Sequence, residues 1–126
     1  MPQIFDSDYI NVTIDDGILI CDMKPRDEID LKVAKIGADQ RIKACNGKSY
    51  PTIFDISKVK KWDQDARSYL AGEKGSECVT ASALIINSPV VKMTGNFFIM
   101  VHKPHVPTRI FTDRNAAEKW LQQFKD

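Results

Sequence analysis

No stretch of this 126-residue chain is a long uninterrupted apolar run, and a membrane-spanning helix needs about 20 such residues. Charge of one sign is lacking too: 18 Lys and Arg stand against 17 Asp and Glu, for a net charge of +1. No overall field therefore draws in nucleic acid or an anionic membrane, and any partner must be recognised locally. Cysteine is sparse and scattered, at Cys21, Cys45 and Cys78 with no Cys-x-x-Cys pair. Zinc and dithiol motifs are thus missing, and all three read as small buried hydrophobes. Glycines form no Walker-type or dinucleotide pattern and no Gly-x-Ser-x-Gly. Met1 to Asp6 has neither the basic nor the apolar part of a secretory leader, so the expected location is the cytoplasm.

What is present suits a soluble α/β protein. Hydrophobic residues make up 43% and charged ones 28%, enough apolar surface for one ordinary domain to fold without staples. Tyr9 to Ile14 and Ile18 to Cys21, around the turn signal Asp15-Asp16-Gly17, predict an antiparallel hairpin. A helix is expected from Pro25, with Asp27 and Glu28 in its first turn. Its apolar lines run through Ile29, Val33 and Ile36 and through Leu31, Ala34, Ala38, Ile42 and Cys45, and Asn46-Gly47 ends it.

The chain is organised about Pro51 to Ala66. Ile53, Phe54 and Ile56 predict a strand, Ser57 to Trp62 a basic loop, and Asp63 the cap of a helix bearing Ala66, Tyr69 and Leu70. Val79 to Ile86 predicts a central strand with small residues on both faces. Asn87-Ser88-Pro89 then opens an unusually apolar helix to Val101, Val106 to Phe111 a last strand, and Asp113 a helix with the stripe Ala117, Trp120, Leu121 and Phe124. The order is ββαβαβαβα: a mostly parallel sheet that begins with an antiparallel hairpin.

With that order, the blocks Asp55-Ile56, Ala66-Arg67, Gly95-Asn96-Phe97-Phe98, Lys103-Pro104 and Pro107 to Asp113 make the chain resemble the STAS superfamily. This holds the SpoIIAA-like anti-sigma-factor antagonists and the tails of sulfate transporters. The chain looks most like the uncharacterised bacterial STAS/SEC14-labelled group. The likeness runs from about Tyr50 to the C-terminus. It implies a SpoIIAA-like domain that binds protein partners, a second copy of itself among them. In the antagonists a phosphorylatable serine opens the helix after the third strand. An ungapped alignment puts Asp63-Gln64-Asp65-Ala66 there, with Asp65 in place of the hydroxyl.

Two surfaces are therefore expected to bind. One is the loop region of Ser57, Lys58, Lys60, Lys61, Trp62, Asp63 and Asp65, whose basic and aromatic residues suit a protein partner. The other is the surplus apolar surface of Val90, Met93, Phe97, Phe98 and Val101, suited to a second subunit or a partner. The alternative is a carrier of a small apolar or lipid-like ligand lined by Met93, Phe97 and Trp62. Catalysis is not expected. His102 and His105 lack a partnered nucleophile, and two histidines broken by Pro104 are too few for a metal. No cofactor is called for.

Overall fold

In a computed structural model the described residues are 3–86 and 106–125. A short strand β1 (Gln3–Asp6) pairs antiparallel with β2 (Ile10–Asp15), and β2 with β3 (Ile18–Met23). Asp16 and Gly17 both take positive φ, 52° and 77°. A two-residue hairpin of this twist requires that, and it fixes Asp15 opposite Ile18. After β4 (Arg26–Ile29) comes α1 (Leu31–Cys45), then β5 (Tyr50–Asp55), β6 (Val59–Trp62) and α2 (Gln64–Ala71). A 3-10 turn at Lys74–Ser76 leads into β7 (Val79–Ile85). Further on lie β8 (Thr108–Phe111), α3 (Arg114–Leu121) and a closing 3-10 turn, Gln122–Phe124.

The main sheet has six strands in the order β1-β2-β3-β5-β7-β8, with β3-β5, β5-β7 and β7-β8 parallel. This is the mostly parallel sheet with an antiparallel start that the sequence predicts. Because the parallel strands follow one another steadily in one direction, right-handed crossovers place α1 and α2 on the same face. The C-terminal α3 closes the other. The strand pleat then divides the core. Val12, Leu19, Cys21 and Met23 pack beneath Val33, Ala34 and Cys45 of α1, whereas Ile18, Ile53, Ala81, Ala83 and Ile85 meet Ala117 and Leu121 of α3. Leu19 and Ile53 are fully buried, each contributing about 1.5–3 kcal/mol relative to exposure. Ala81 and Ala83 let α3 approach the sheet closely.

Three local readings are corrected. The helix expected at Pro25 begins at Leu31, because the Asp30 carboxylate accepts from Val33 N at 2.9 Å and caps it there. Asp27 and Glu28 instead belong to β4. The basic loop contains β6, which pairs parallel with β4 in a separate two-stranded ribbon, Ile29 opposite Trp62. On α1 the buried stripe is Val33, Ala34, Gly37, Ala38, Arg41, Ala44 and Cys45, while Ile36 and Ile42 lie at its margin. The expected caps Asp63 and Asp113 are found, accepting from Ala66 N and Asn115 N. The expected helix from Pro89 to Val101 lies outside the described residues. Among the described residues no helix is long and apolar enough to cross a membrane.

Candidate functional site

The carboxyl ends of the parallel strands form a charged rim. Register sets Asp22 of β3 beside Asp55 of β5, and β8 delivers the first residue of α3 to the same edge. Arg114 Nη2 donates to Asp22 Oδ1 at 2.7 Å and to Asp55 Oδ2 at 3.0 Å. The other Asp55 oxygen accepts from the Ser57 hydroxyl at 2.6 Å and from its backbone N–H at 3.0 Å. Burial works to raise the Asp55 carboxyl. The hydrogen bonds from Ser57 and then from Arg114 outweigh it and hold the group below the usual aspartate range. A carboxylate so engaged is a poor general base near neutral pH, but it is a rigid anchor for the Ser57 turn.

Beside the rim stands the ribbon. Lys58, Lys60 and Lys61 are exposed, and Lys60 and Lys61 reach Asp27 and Glu28 of β4 at 3.4 and 3.5 Å. Pairs this exposed are weak and readily exchanged. Inward, Ile29 and Val59 are buried in the core and Trp62 packs against it. The structure thus separates the residues grouped by sequence. Lys58, Lys60 and Lys61 face water with Asp65, which stands exposed in the first turn of α2. Ser57 is tied to Asp55, Asp63 is committed to capping, and Trp62 faces inward. Val90, Met93, Phe97, Phe98 and Val101 lie outside the described residues, as do Ser88, His102 and His105.

Trp62 also lines an apolar cavity of about 40 Å³ with Ile10, Met23, Val33, Gly37 and Leu70. That is room for a few waters at about 10–15 Å³ each, well short of the roughly 150 Å³ that admits benzene. A lipid-sized ligand does not fit in this cavity.

A second cluster lies at the opposite end of the strands. Arg41, only 2% exposed, donates through Nη2 to the carbonyls of Gly75 at 2.7 Å and Glu77 at 3.2 Å. Its guanidinium stands 5.5 Å from the Phe54 ring centroid. One turn on, Cys45 is buried at the end of α1. Cys78 is partly buried and packs against the margin of the core, less deeply than the fully buried cysteine expected, and its φ of 65° is left-handed. Arg41, Asp22 and Arg114 were not singled out by sequence. An arginine in the line of small residues Gly37, Ala38 and Cys45 was the available signal for the first. Among the described residues no three His, Cys, Asp or Glu side chains gather to hold a metal.

Comparison with known proteins gives a family and a fold. The model of the family described as "Domain of unknown function (DUF7793)" matches residues 12–125. No curated protein matches the chain. Among solved structures it is similar to an uncharacterized DUF3478-family protein with a SpoIIAA-like fold from Shewanella loihica PV-4. The identity is 15% and the TM-score 0.64, over 96% of this chain and 92% of that one.

Proposed function

Because the chain belongs to the DUF7793 family and has a SpoIIAA-like fold, we propose that it is a non-catalytic regulatory or scaffolding domain. It binds a protein partner with the β4–β6 ribbon and the start of α2. The observation that carries this reading is the ribbon itself. Its outer surface presents Arg26, Asp27, Glu28, Lys58, Lys60 and Lys61 to water, while Ile29 and Val59 anchor it in the core. A rigid surface of both signs suits a complementary protein surface better than a polyanion. The steady strand order supports it too, since ligand crevices in open α/β sheets form where that order reverses. So does the engagement of Asp55, whose hydrogen bonds hold it ionised and make it a poor general base. Asp65, aligned with the acceptor serine of the antagonists, is a fixed negative charge, so binding through the start of α2 is constitutive.

The test is charge reversal on the ribbon. Wild-type chain and the triple variant Lys58→Glu, Lys60→Glu, Lys61→Glu are immobilised in an extract of the source cells, with Lys48→Glu as a control. Any partner retained by wild type is then purified and titrated against all three. The expected result is one saturable partner whose affinity falls at least about ten-fold in the triple variant, as loss of a few charge contacts implies, and is unchanged in the control. Equal binding by the triple variant, or no saturable partner, overturns the reading.

A further inference from the structure

Among the described residues the exposed large hydrophobic side chains are two neighbours on one strand. Ile4 is 65% exposed and Phe5 37%, both on β1, an outer strand of the six-stranded sheet. An outer strand with open backbone groups is a template for another strand, and native edges are commonly blunted by charge, a bulge or a covering element. On β1 the charged residue is Asp6, and Lys24 pairs with it at 2.9 Å. The register of β1 with β2 is unbroken. The other outer strand, β8, is half-buried at three of its four residues, so no comparable apolar edge is displayed there.

Which backbone groups are open follows from the ladder. The Ser7 N–H donates to the Ile10 carbonyl at 3.1 Å, so these two residues begin the series as a hydrogen-bonded pair. Bonded and non-bonded pairs alternate along an antiparallel ladder. Phe5–Val12 and Gln3–Ile14 are therefore bonded pairs, and Asp6–Asn11 and Ile4–Thr13 are not. Gln40 fits this direction, since its Nε2 donates to the carbonyls of both Ile10 and Phe5, at 3.1 and 3.3 Å. The N–H and C=O groups of Ile4 and Asp6 thus point away from β2 along the open edge.

We infer that β1 pairs antiparallel with β1 of a second copy, centred on Phe5, and so joins two sheets into one across a two-fold axis. Ile4 then stands opposite Asp6 of the second copy, and each such pairing exchanges both of its open backbone bonds. Phe5 meets Phe5 of the second copy in the narrow non-bonded position, where Cα atoms lie about 4.5 Å apart and side chains touch. Phe5 shares its face with Val12, so the ring pair extends the α1 side of the core. Charge selects the occupant. With Asp6 held by Lys24, β1 offers no unpaired charge to an acidic or basic strand, whereas its own sequence about Phe5 is neutral and matches itself. Area sets the strength. A strand of four residues spans about 13 Å, and two such edges bury well under the roughly 1,200 Å² of a standard interface. The dimer is therefore reversible and concentration-dependent, and it leaves the β4–β6 ribbon free.

Sedimentation equilibrium of the full chain from about 1 μM to about 1 mM, the range of weak interfaces, should show the mass rising from one copy to two. Phe5→Lys sets like charges opposite each other and should raise the dissociation constant at least about ten-fold while circular dichroism stays native. The variant Lys58→Glu, Lys60→Glu, Lys61→Glu should dimerise as wild type does, which separates this edge from the ribbon. Register is read by cross-linking in a Cys78→Ser background, where the remaining cysteines, Cys21 and Cys45, are buried. Diamide should link Phe5→Cys chains into dimers, and Ile4→Cys chains at least about ten-fold more slowly, because only position 5 meets itself at disulfide distance. A single-copy mass throughout, a dimer unchanged by Phe5→Lys or lost in the ribbon variant, or equal linking at both positions overturns the inference.

Discussion

Arg41 and Arg114 stand at opposite ends of the same parallel strands and hold them in opposite ways. Arg114 has a side chain 38% exposed and bridges two carboxylates, Asp22 and Asp55. Arg41 is buried, and among the described residues its hydrogen bonds go to two backbone carbonyls, with no carboxylate paired to it. Water can stand in for a partner of Arg114 when one is lost. It cannot readily do so at Arg41, where each orphaned group stays buried. The carboxyl end of the sheet is therefore a robust polar rim. The other end is a brittle joint between α1 and the turn before β7.

The largest effect should come from removing the buried cation. Arg41→Ala empties a fully packed site and strands two carbonyls, for an expected loss of about 3–4 kcal/mol, measured by urea unfolding. A loss under 1 kcal/mol would erase the contrast with Arg114. Next is Gly75→Ala, at the residue whose carbonyl Arg41 holds. A Cβ there runs into the Tyr69 carbonyl and the Leu70 backbone at the end of α2. Overpacking against main chain should destabilise by about 2 kcal/mol, and an unchanged midpoint would mean the turn is not pinned.

At the rim the effects should be smaller. Arg114→Ala removes a half-exposed bridge, so solvent screening limits the loss to about 1 kcal/mol, and added salt should shrink it further. The pH dependence follows from Asp55, whose folded value is depressed below the ordinary 3.8. Its contribution is fully present above 3.8 and is lost as pH falls through the folded value. Asp55→Asn should therefore lower stability at neutral pH and flatten the acid limb of the stability curve. An acid limb as steep as wild type would show that other carboxylates set it.

The contrast between the two arginines also explains what could be read from sequence. Periodicity located β2, β3, β5, β7 and α3 because each buries one patterned face, and Asp63 and Asp113 were legible because a cap acts within three residues. β4 and β6 were missed because four-residue strands with charged outward positions, Arg26-Asp27-Glu28 and Lys60-Lys61, look like a helix start and a loop until paired. The fully exposed β1 carries no burial pattern at all. Of the residues grouped by sequence, Lys58, Lys60, Lys61 and Asp65 are each exposed, whereas Trp62 turns in, since its ring is worth more buried than displayed. The Arg114 bridge spans 92 residues to Asp22 and 59 to Asp55, and Arg41 reaches Gly75 and Glu77 across 34 and 36. Such partners are set by topology and leave no local trace.

The smallest predicted effect has the opposite sign. Gly37 lies one turn before Arg41 on the same buried stripe and borders the apolar cavity, and a Cβ built there meets nothing within 4 Å. Gly37→Ala should thus restrict the unfolded chain and favour helix without a clash. The expected gain is about 0.8 kcal/mol, read as a higher urea midpoint with an unchanged slope. The cavity wall and the Arg41 joint are then separable: one side of the same helix accepts added volume while the next turn tolerates no loss. A destabilised Gly37→Ala variant would instead mean that α1 already sits as close to the sheet as it can, so that even an extra methyl displaces the helix and with it the grip of Arg41 on the turn before β7.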